Sequence, residues 1–332
     1  MPAKRPAPWL PSAEQAALWP AISGNTINGV GETDVRKPSP IYWHAPDATP
    51  HGPLQVWFAN RTTPLVQLAR DERKRAIDEP LPAVADTVVE HTAETWTRLV
   101  KEAALASGAD AVGITRVQPQ WVYEGYEVAQ QFAILLCVRH DWEALKTAPE
   151  ETAAAEVILQ YARGIRAAKG LAAYLRGQGH DASPHGGPMA YPMLLVPAAI
   201  AAGLGELGKH GSMINPRLGS NLRLACVLTD VPLVPDAPID FGADDFCTNC
   251  QACTVACPPQ AIEPDKRMVR GVERWYVDFD KCLPYFNETQ GCAVCLSVCP
   301  WNRPGVAPTL VQKLAARRAS KAESPGPEAV AS

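Results

Sequence analysis

The sequence predicts an α/β (α+β) protein in which a domain of alternating helices and strands is followed by a smaller domain held together by cysteines. Three observations carry this. Three β-like runs, 111–117, 132–138 and 222–229, are separated by segments of helical character. One of those segments, 151–176, sets Tyr161, Ile165, Ala168, Ala172 and Leu175 at helical spacing. Eight of the ten cysteines fall between 247 and 299. A chain of 332 residues has room for two domains of ordinary size, so the cysteine segment is not the whole protein.

Residues 1–85 read as an irregular, Pro-rich N-terminal region. They show little periodicity, carry aromatics expected at the surface (Tyr42, Trp43, Trp57, Phe58), and include the charge run 70–75, read as a solvated helix face. The mixed domain is expected over 86–240. It opens with a helix over 92–105, which Thr92 can cap and Gly108 follows. Cys137, inside the second β-like run, reads as a small core hydrophobe. Gly177 and Gly179 stop the amphipathic helix, and a loop rich in His, Gly and Pro (180–192) leads to a further helix near 196–204. A Gly-rich turn, 203–211, then opens towards the strand 222–229. There Leu222, Leu224, Cys226 and Leu228 share one face, while Arg223, Ala225 and Val227 share the other. The cysteine domain is expected over 241–306. A tail over 307–332 ends in Ala, Ser, Pro, Glu and Lys, a composition that frays.

The cysteines form two runs, Cys247-x-x-Cys250-x-x-Cys253-x-x-x-Cys257-Pro258, and Cys282 followed by Cys292-x-x-Cys295-x-x-x-Cys299-Pro300. Thiolates are soft ligands, and four of them around a cuboidal iron–sulfur core suit eight cysteines at this spacing. Two-residue gaps let three sulfurs converge from one tight loop, while the Cys before Pro points away and serves the other cluster. The expectation is a bacterial-ferredoxin-like domain with two 4Fe-4S clusters. Cys247, Cys250, Cys253 and Cys299 would hold one, and Cys257, Cys282, Cys292 and Cys295 the other. A zinc ribbon needs only four ligands and no Cys-Pro ends. A disulfide framework sits badly with so many cysteines crowded into one segment. The net charge of −4 argues against nucleic acid as a partner. No apolar run approaches a membrane span, and Met1 to Pro6 lead into no apolar export stretch, so the expected location is the cytoplasm.

Further motifs carry a family resemblance. The stretch 201–211 (Ala-Ala-Gly-Leu-Gly-Glu-Leu-Gly-Lys-His-Gly), then Ile214-Asn-Pro, Gly219 and 228–233, resembles the corrinoid-binding core of reductive dehalogenases. The segments 275–287 and 291–304, the latter ending Cys-Pro-Trp-Asn-Arg-Pro, are similar to the iron–sulfur half of that family. The resemblance covers roughly 92–305, and epoxyqueuosine reductase, a tRNA-modification enzyme, shares the Gly-Leu-Gly turn and the Cys-Pro-Trp-Asn ending. It implies a nitroreductase-like domain holding base-off cobalamin, with two clusters relaying electrons to cobalt. The Asp-x-His-x-x-Gly signature of His-ligated corrinoid domains is missing, since Asp181 and His185 have the wrong gap. An unligated lower face makes cobalt a stronger donor.

The same resemblance assigns Tyr161 as proton donor and Arg223 as its basic neighbour. A fixed guanidinium close to a phenol favours the phenolate. The alternatives are a core aromatic for Tyr161 and a structural ion-pair residue for Arg223. Gly203, Leu204, Gly205, Lys209, His210 and Gly211 are the expected corrinoid contacts, with Lys209 and His210 reaching cofactor amides or phosphate; the alternative is a plain helix C-cap and loop. Trp275, Trp301, Tyr276 and Phe286 flank the cysteines and are expected to shield the clusters. The implied activity is reduction of a small organic substrate, a halogenated aromatic among the candidates, with electrons from an external ferredoxin or flavin reductase. One rival is an epoxyqueuosine reductase, although the loop 183–190 lacks the carboxylate such enzymes carry in an Asp-Thr-Gly-Pro-like loop. The other is an electron carrier or corrinoid-reactivating protein without a substrate of its own.

Overall fold

A computed structural model describes residues 9–188 and 192–323. The N-terminal part is not irregular throughout. It contains helices α1 (Ala13–Ala17), α2 (Gly24–Ile27), α3 (Gly52–Asn60) and α4 (Pro64–Asp78), with Ser12, Ser23 and Thr63 each accepting a backbone N–H at the start of α1, α2 and α4. These helices are short or polar, so little in their own sequence pattern announces them.

The central layer is one four-stranded sheet. Helix α5 (Ala93–Ala106), capped by Thr92, leads into β1 (Ala111–Arg116) and β2 (Phe132–Arg139). After the short α6 (Trp142–Leu145) comes α7 (Glu151–Gly177), then β3 (Ala182–Gly186). Next follow α8 (Leu195–Ala201), the small hairpin β4 (Glu206–Leu207) and β5 (Met213–Ile214), and β6 (Leu222–Thr229). The order is β1-β2-β6-β3 with every neighbour antiparallel. Ser183 and His185, expected in a loop, therefore lie on an edge strand paired with β6. Met189, Ala190 and Tyr191 lie outside the described residues.

Both sheet faces are covered, which is why seven of the eight residues of β2 are buried. One face packs Ile134, Leu136, Ala225 and Val227 against Trp96 and Val100 of α5 and Leu171 and Leu175 of α7. The other packs Leu135, Cys137, Cys226 and Leu228 against Met193, Ala198 and Ala199 at α8. The alternation in β6 thus sends Arg223 to the side of α7, where Tyr161 stands. Helix α4 lies along α7 through small contacts, with Val66 and Ala69 against Ala154, Ala155 and Ile158, and Ala76 against Ala162 and Ile165.

The cysteine segment comprises α9 (Ala243–Asn249), α10 (Ala252–Ala256), the hairpin β7 (Arg267–Val269) and β8 (Val272–Arg274), α11 (Phe279–Glu288) and α12 (Val294–Ser297). The chain continues as helix α13 (Val306–Glu323), where the sequence suggested a tail. Leu310, Val311 and Leu314 pack it against Trp301, and Arg318 ties it to Asp240 and Asp245. Residues 324–332 are outside the described residues. The N-terminal part clamps this segment. Gly24 N–H and the Asn25 amide donate to Asp280 and Asp278, Gln15 donates to the Pro284 carbonyl, and Tyr42 OH donates to Asn287 at 2.8 Å. Tyr42 and Phe58, expected at the surface, are buried by that docking. Among the described residues no helix is long and apolar enough to cross a membrane.

Candidate functional site

Tight turns place the eight thiols. Cys247 closes α9, Cys250 caps it, Cys253 lies in α10 and Cys257 ends that helix. Cys282 comes from α11, Cys292 and Cys295 flank the start of α12, and Cys299 precedes Pro300. Cys299 stands among Cys247, Cys250 and Cys253, whereas Cys257 stands with Cys282, Cys292 and Cys295. The groups approach each other at Cys253 and Cys295. Burial pushes the thiols up, to about 11 for Cys253 and Cys292 and about 12 for Cys247 and Cys299. A bound metal cluster would draw the thiolates out of that protonated state.

Backbone N–H groups point at the sulfurs. Ala261 N–H donates to Cys257 at 3.3 Å, Val294 N–H to Cys292 and Trp301 N–H to Cys299. Cys292 and Ala293 take left-handed backbone (φ 41° and 62°), a conformation that turns successive N–H groups inward. Among the described residues no group of three or more His, Cys, Asp or Glu side chains forms a site for a metal ion. The ligands of a cubane bind four different irons and so stand further apart than those of a single ion. Two sets of four thiols with N–H donors fit two such clusters.

Three cavities share Arg223 in their walls, and one of them is also lined by thiols. One, of about 280 Å³, is lined by Tyr161, Arg223, His44, Tyr123, Ser212 and others. A second, of about 240 Å³, is lined by all of Cys257, Cys282, Cys292 and Cys295, together with His210, Gly211, Ser212 and Arg223. The third, of about 330 Å³, holds Tyr161 and Arg223 beside Trp43, Phe58, Arg70 and Arg73. Arg223 and Tyr161 belong to facing elements and meet directly, with the guanidinium carbon 5.3 Å from the ring centroid. The charge lies over the face of the phenol ring, and Arg223 Nε is buried without a hydrogen-bond partner.

The Gly-rich turn is placed differently from the expectation. Gly203 has φ +71°, and a Cβ there would lie 2.5 Å from the Ala237 carbonyl; one on Gly205 would lie 2.2 Å from the Ile214 carbonyl. Both glycines admit the chain's own backbone. Leu204 is buried in the core beneath α8. Lys209 is 1% exposed, with its ammonium 4.7 Å from the Trp275 ring and its backbone N–H donated to Cys247. It therefore faces the first thiol group and does not line the cavities. His210 accepts from Ser212 N–H through Nδ1 at 3.2 Å, and its Nε2 lies 3.1 Å from Ser220 Oγ. Because Ser220 donates its own proton to the Met213 carbonyl, Nε2 is the donor in that pair and the ring is neutral. Burial lowers its pKa to about 4. Of the six expected contacts, only His210 and Gly211 reach a cavity.

Trp275 and Trp301 pack with Cys247 and Cys299, Phe286 lines the cavities, and Tyr276 OH donates to Asn25 in the N-terminal clamp. Sequence reasoning missed Arg70 and Arg73. Their i, i+3 spacing on a helix was the available signal, since it puts both on one face. The run 70–75 in fact divides: Glu72 turns to Arg75 and to Arg166 of α7, and the two arginines turn inward.

Residues 246–303 match the family described as a 4Fe-4S dicluster domain. The tetrachloroethene reductive dehalogenase of Dehalobacter restrictus is 33% identical over 210 residues, covering 59% of this chain and 37% of that protein. An epoxyqueuosine reductase of Leadbetterella byssophila is 36% identical over 118 residues, 30% of this chain and 34% of that protein. A solved catabolic reductive dehalogenase, in complex with 3-bromo-4-hydroxybenzoic acid, superposes with a TM-score of 0.73 at 25% identity, covering 91% of this chain and 48% of that one. The chain spans about half or less of the length of these relatives. By sequence and by fold the chain is similar to reductive dehalogenases, and over a shorter stretch of sequence to epoxyqueuosine reductases.

Proposed function

We propose that this chain is the reducing core of a corrinoid-dependent oxidoreductase that replaces a halogen on a small, aromatic organic substrate with hydrogen. The supporting observation is the convergence at Arg223. One side of that residue faces four thiols suited to a cluster, and the other faces the phenol of Tyr161. Residues 86–240 would hold the corrinoid and 241–306 the two clusters. Cys257, Cys282, Cys292 and Cys295 would hold the cluster facing the cavity, and Cys247, Cys250, Cys253 and Cys299 the one behind it. A flat macrocycle needs a broad slot, and adjoining cavities walled by Val196, Ser212 and Arg223 offer one. His210 and His44, the two imidazoles lining the first two cavities, are both engaged in contacts, which supports a base-off cofactor.

A bound corrinoid would supply a low-valent cobalt able to reduce a carbon–halogen bond. The balance is substrate plus two electrons and one proton, giving the reduced product and halide. Tyr161 holds the proton, and Arg223 fixes the phenol and stabilises the phenolate left behind. The electrons come from an external ferredoxin or flavin reductase. The test is anaerobic reconstitution with iron, sulfide and hydroxocobalamin, followed by bromide release from 3-bromo-4-hydroxybenzoate with a reduced viologen as donor. About eight irons and one cobalt per chain, a base-off spectrum and stoichiometric bromide are expected. Failure to bind cobalamin would instead make the chain an electron carrier.

A further inference from the structure

The third cavity has a charge pattern that proton donation by Tyr161 does not explain. Arg70, Arg73 and Arg223 all line it, and no described lining residue is Asp or Glu. Met189, Ala190 and Tyr191, which follow its lining residue Pro188, carry no carboxylate in sequence either. Arg70 is held by neutral acceptors, donating to the Ala59 carbonyl at 2.8 Å and to Gln290 at 2.9 Å. Arg73 makes no hydrogen bond or ion pair with a described residue, and its Nε is buried. Burial lowers the pKa of both guanidiniums, as happens when a charge leaves water without an opposite charge to meet it. Tyr161 is close enough to Arg73 to act on its charge. The remaining wall is aromatic. Phe58 stacks on Phe286 with centroids 5.6 Å apart, and Trp43 meets both edge-on. A volume of about 330 Å³ suits one substituted ring.

We infer that this cavity binds a planar organic anion, an aromatic carboxylate, with Arg73 as the residue that reads its charge. The inference rests on the reading that Tyr161 faces the reacting substrate. Phe58, Phe286 and Trp43 hold the ring by its faces and edge, and Arg73 takes the anionic group in a two-point contact that an unpaired guanidinium is shaped for. Arg70, already tied to the chain, adds field without needing to move. A neutral substrate would leave the Arg73 guanidinium unpaired with its Nε buried, so the cavity discriminates against it.

The test compares 3-bromo-4-hydroxybenzoate with the matching carboxamide on the reconstituted, cofactor-loaded protein, by calorimetric binding and by KM and kcat for bromide release. The acid should bind roughly tenfold to a hundredfold more tightly than the amide. Arg73→Gln should remove that preference, raising KM for the acid with a smaller change in kcat, while Arg73→Lys should restore part of it. Iron content, melting temperature and hydroxocobalamin affinity should stay unchanged in both variants. Equal binding of acid and amide, or an Arg73→Gln variant that keeps the preference, would overturn the inference. So would a variant that loses affinity for hydroxocobalamin but not for the acid, because the anion served would then be the cofactor's phosphate. Charge-dependent binding without bromide release would uphold the anion site and sink the dehalogenation reading, so the two failures are distinguishable.

Discussion

The two thiol groups come from similar short loops, yet adjacent residues of one turn give them different surroundings. Lys209 projects towards the group containing Cys247 and Cys299, under Trp275, and Trp275 and Trp301 pack with those two cysteines. His210, the next residue, faces the other group across the cavity and is neutral. One group thus sits beside a buried positive charge in an aromatic shell. The other opens onto the space that Arg223 and Tyr161 share. A cation close to a cluster stabilises its reduced form, while an opening onto a cavity gives access to a cofactor or substrate. Two groups with identical ligand types therefore differ in electrostatic surroundings and in access to the cavity.

The comparison is broken most severely by removing a ligand. Cys282→Ala should disable the cavity-facing group, lowering iron from about eight to about four per chain and abolishing turnover. An unchanged iron count and reduced-state EPR spectrum would remove Cys282 from that group. Tyr161→Phe should slow bromide release by roughly 10²–10⁴-fold with iron and cobalamin content intact; a loss of only twofold or threefold would make the tyrosine a packing residue. Arg223→Met should add little to that loss in the double mutant, because residues acting as one unit are non-additive. Fully additive losses would mean that the two work separately.

Smaller effects sharpen the contrast. Lys209→Met should make one cluster harder to reduce, by on the order of tens of millivolts, and leave the other in place. Redox titration followed by EPR would read this, and an equal shift in both clusters would refute the assignment of Lys209 to one group. For His210 the folded pKa, about 4, lies below the ordinary 6.5. The unfolded chain therefore takes up a proton first as pH falls. The stability tied to the neutral ring is complete above about pH 6.5 and declines towards pH 4, by up to about 3 kcal/mol. His210→Gln should flatten the fall in melting temperature across that window, and an unaltered slope would mean the ring titrates alike in both states.

Much of the fold was legible because it is locally encoded. Helical spacing in 151–176 marks α7, strand alternation in 222–229 marks β6, and Cys spacing marks the thiol loops. Alternation even placed Arg223 on the face opposite Cys226, and its register opposite Val138 follows from the pairing of β2 and β6. What stayed hidden was set by contacts between distant segments. The N-terminal helices are stable because α11 and α7 receive them, so their own sequence reads as loop. β3 is a strand only because β6 offers it an edge.

By itself, the sequence determined which chemistry is available: eight thiols in two runs, a tyrosine on an amphipathic helix and an arginine on a strand. Ligand identity and periodicity are properties of neighbours along the chain. Only tertiary structure decided where charge is left unpaired. Arg70 and Arg73 look like any solvated helix run until α4 packs on α7 and turns them into a cavity with no described carboxylate. Lys209 looks like a ligand-binding residue until the turn buries it against Trp275. Whether a charge is solvated, paired or held in waiting depends on what surrounds it in three dimensions, and local pattern carries no record of that.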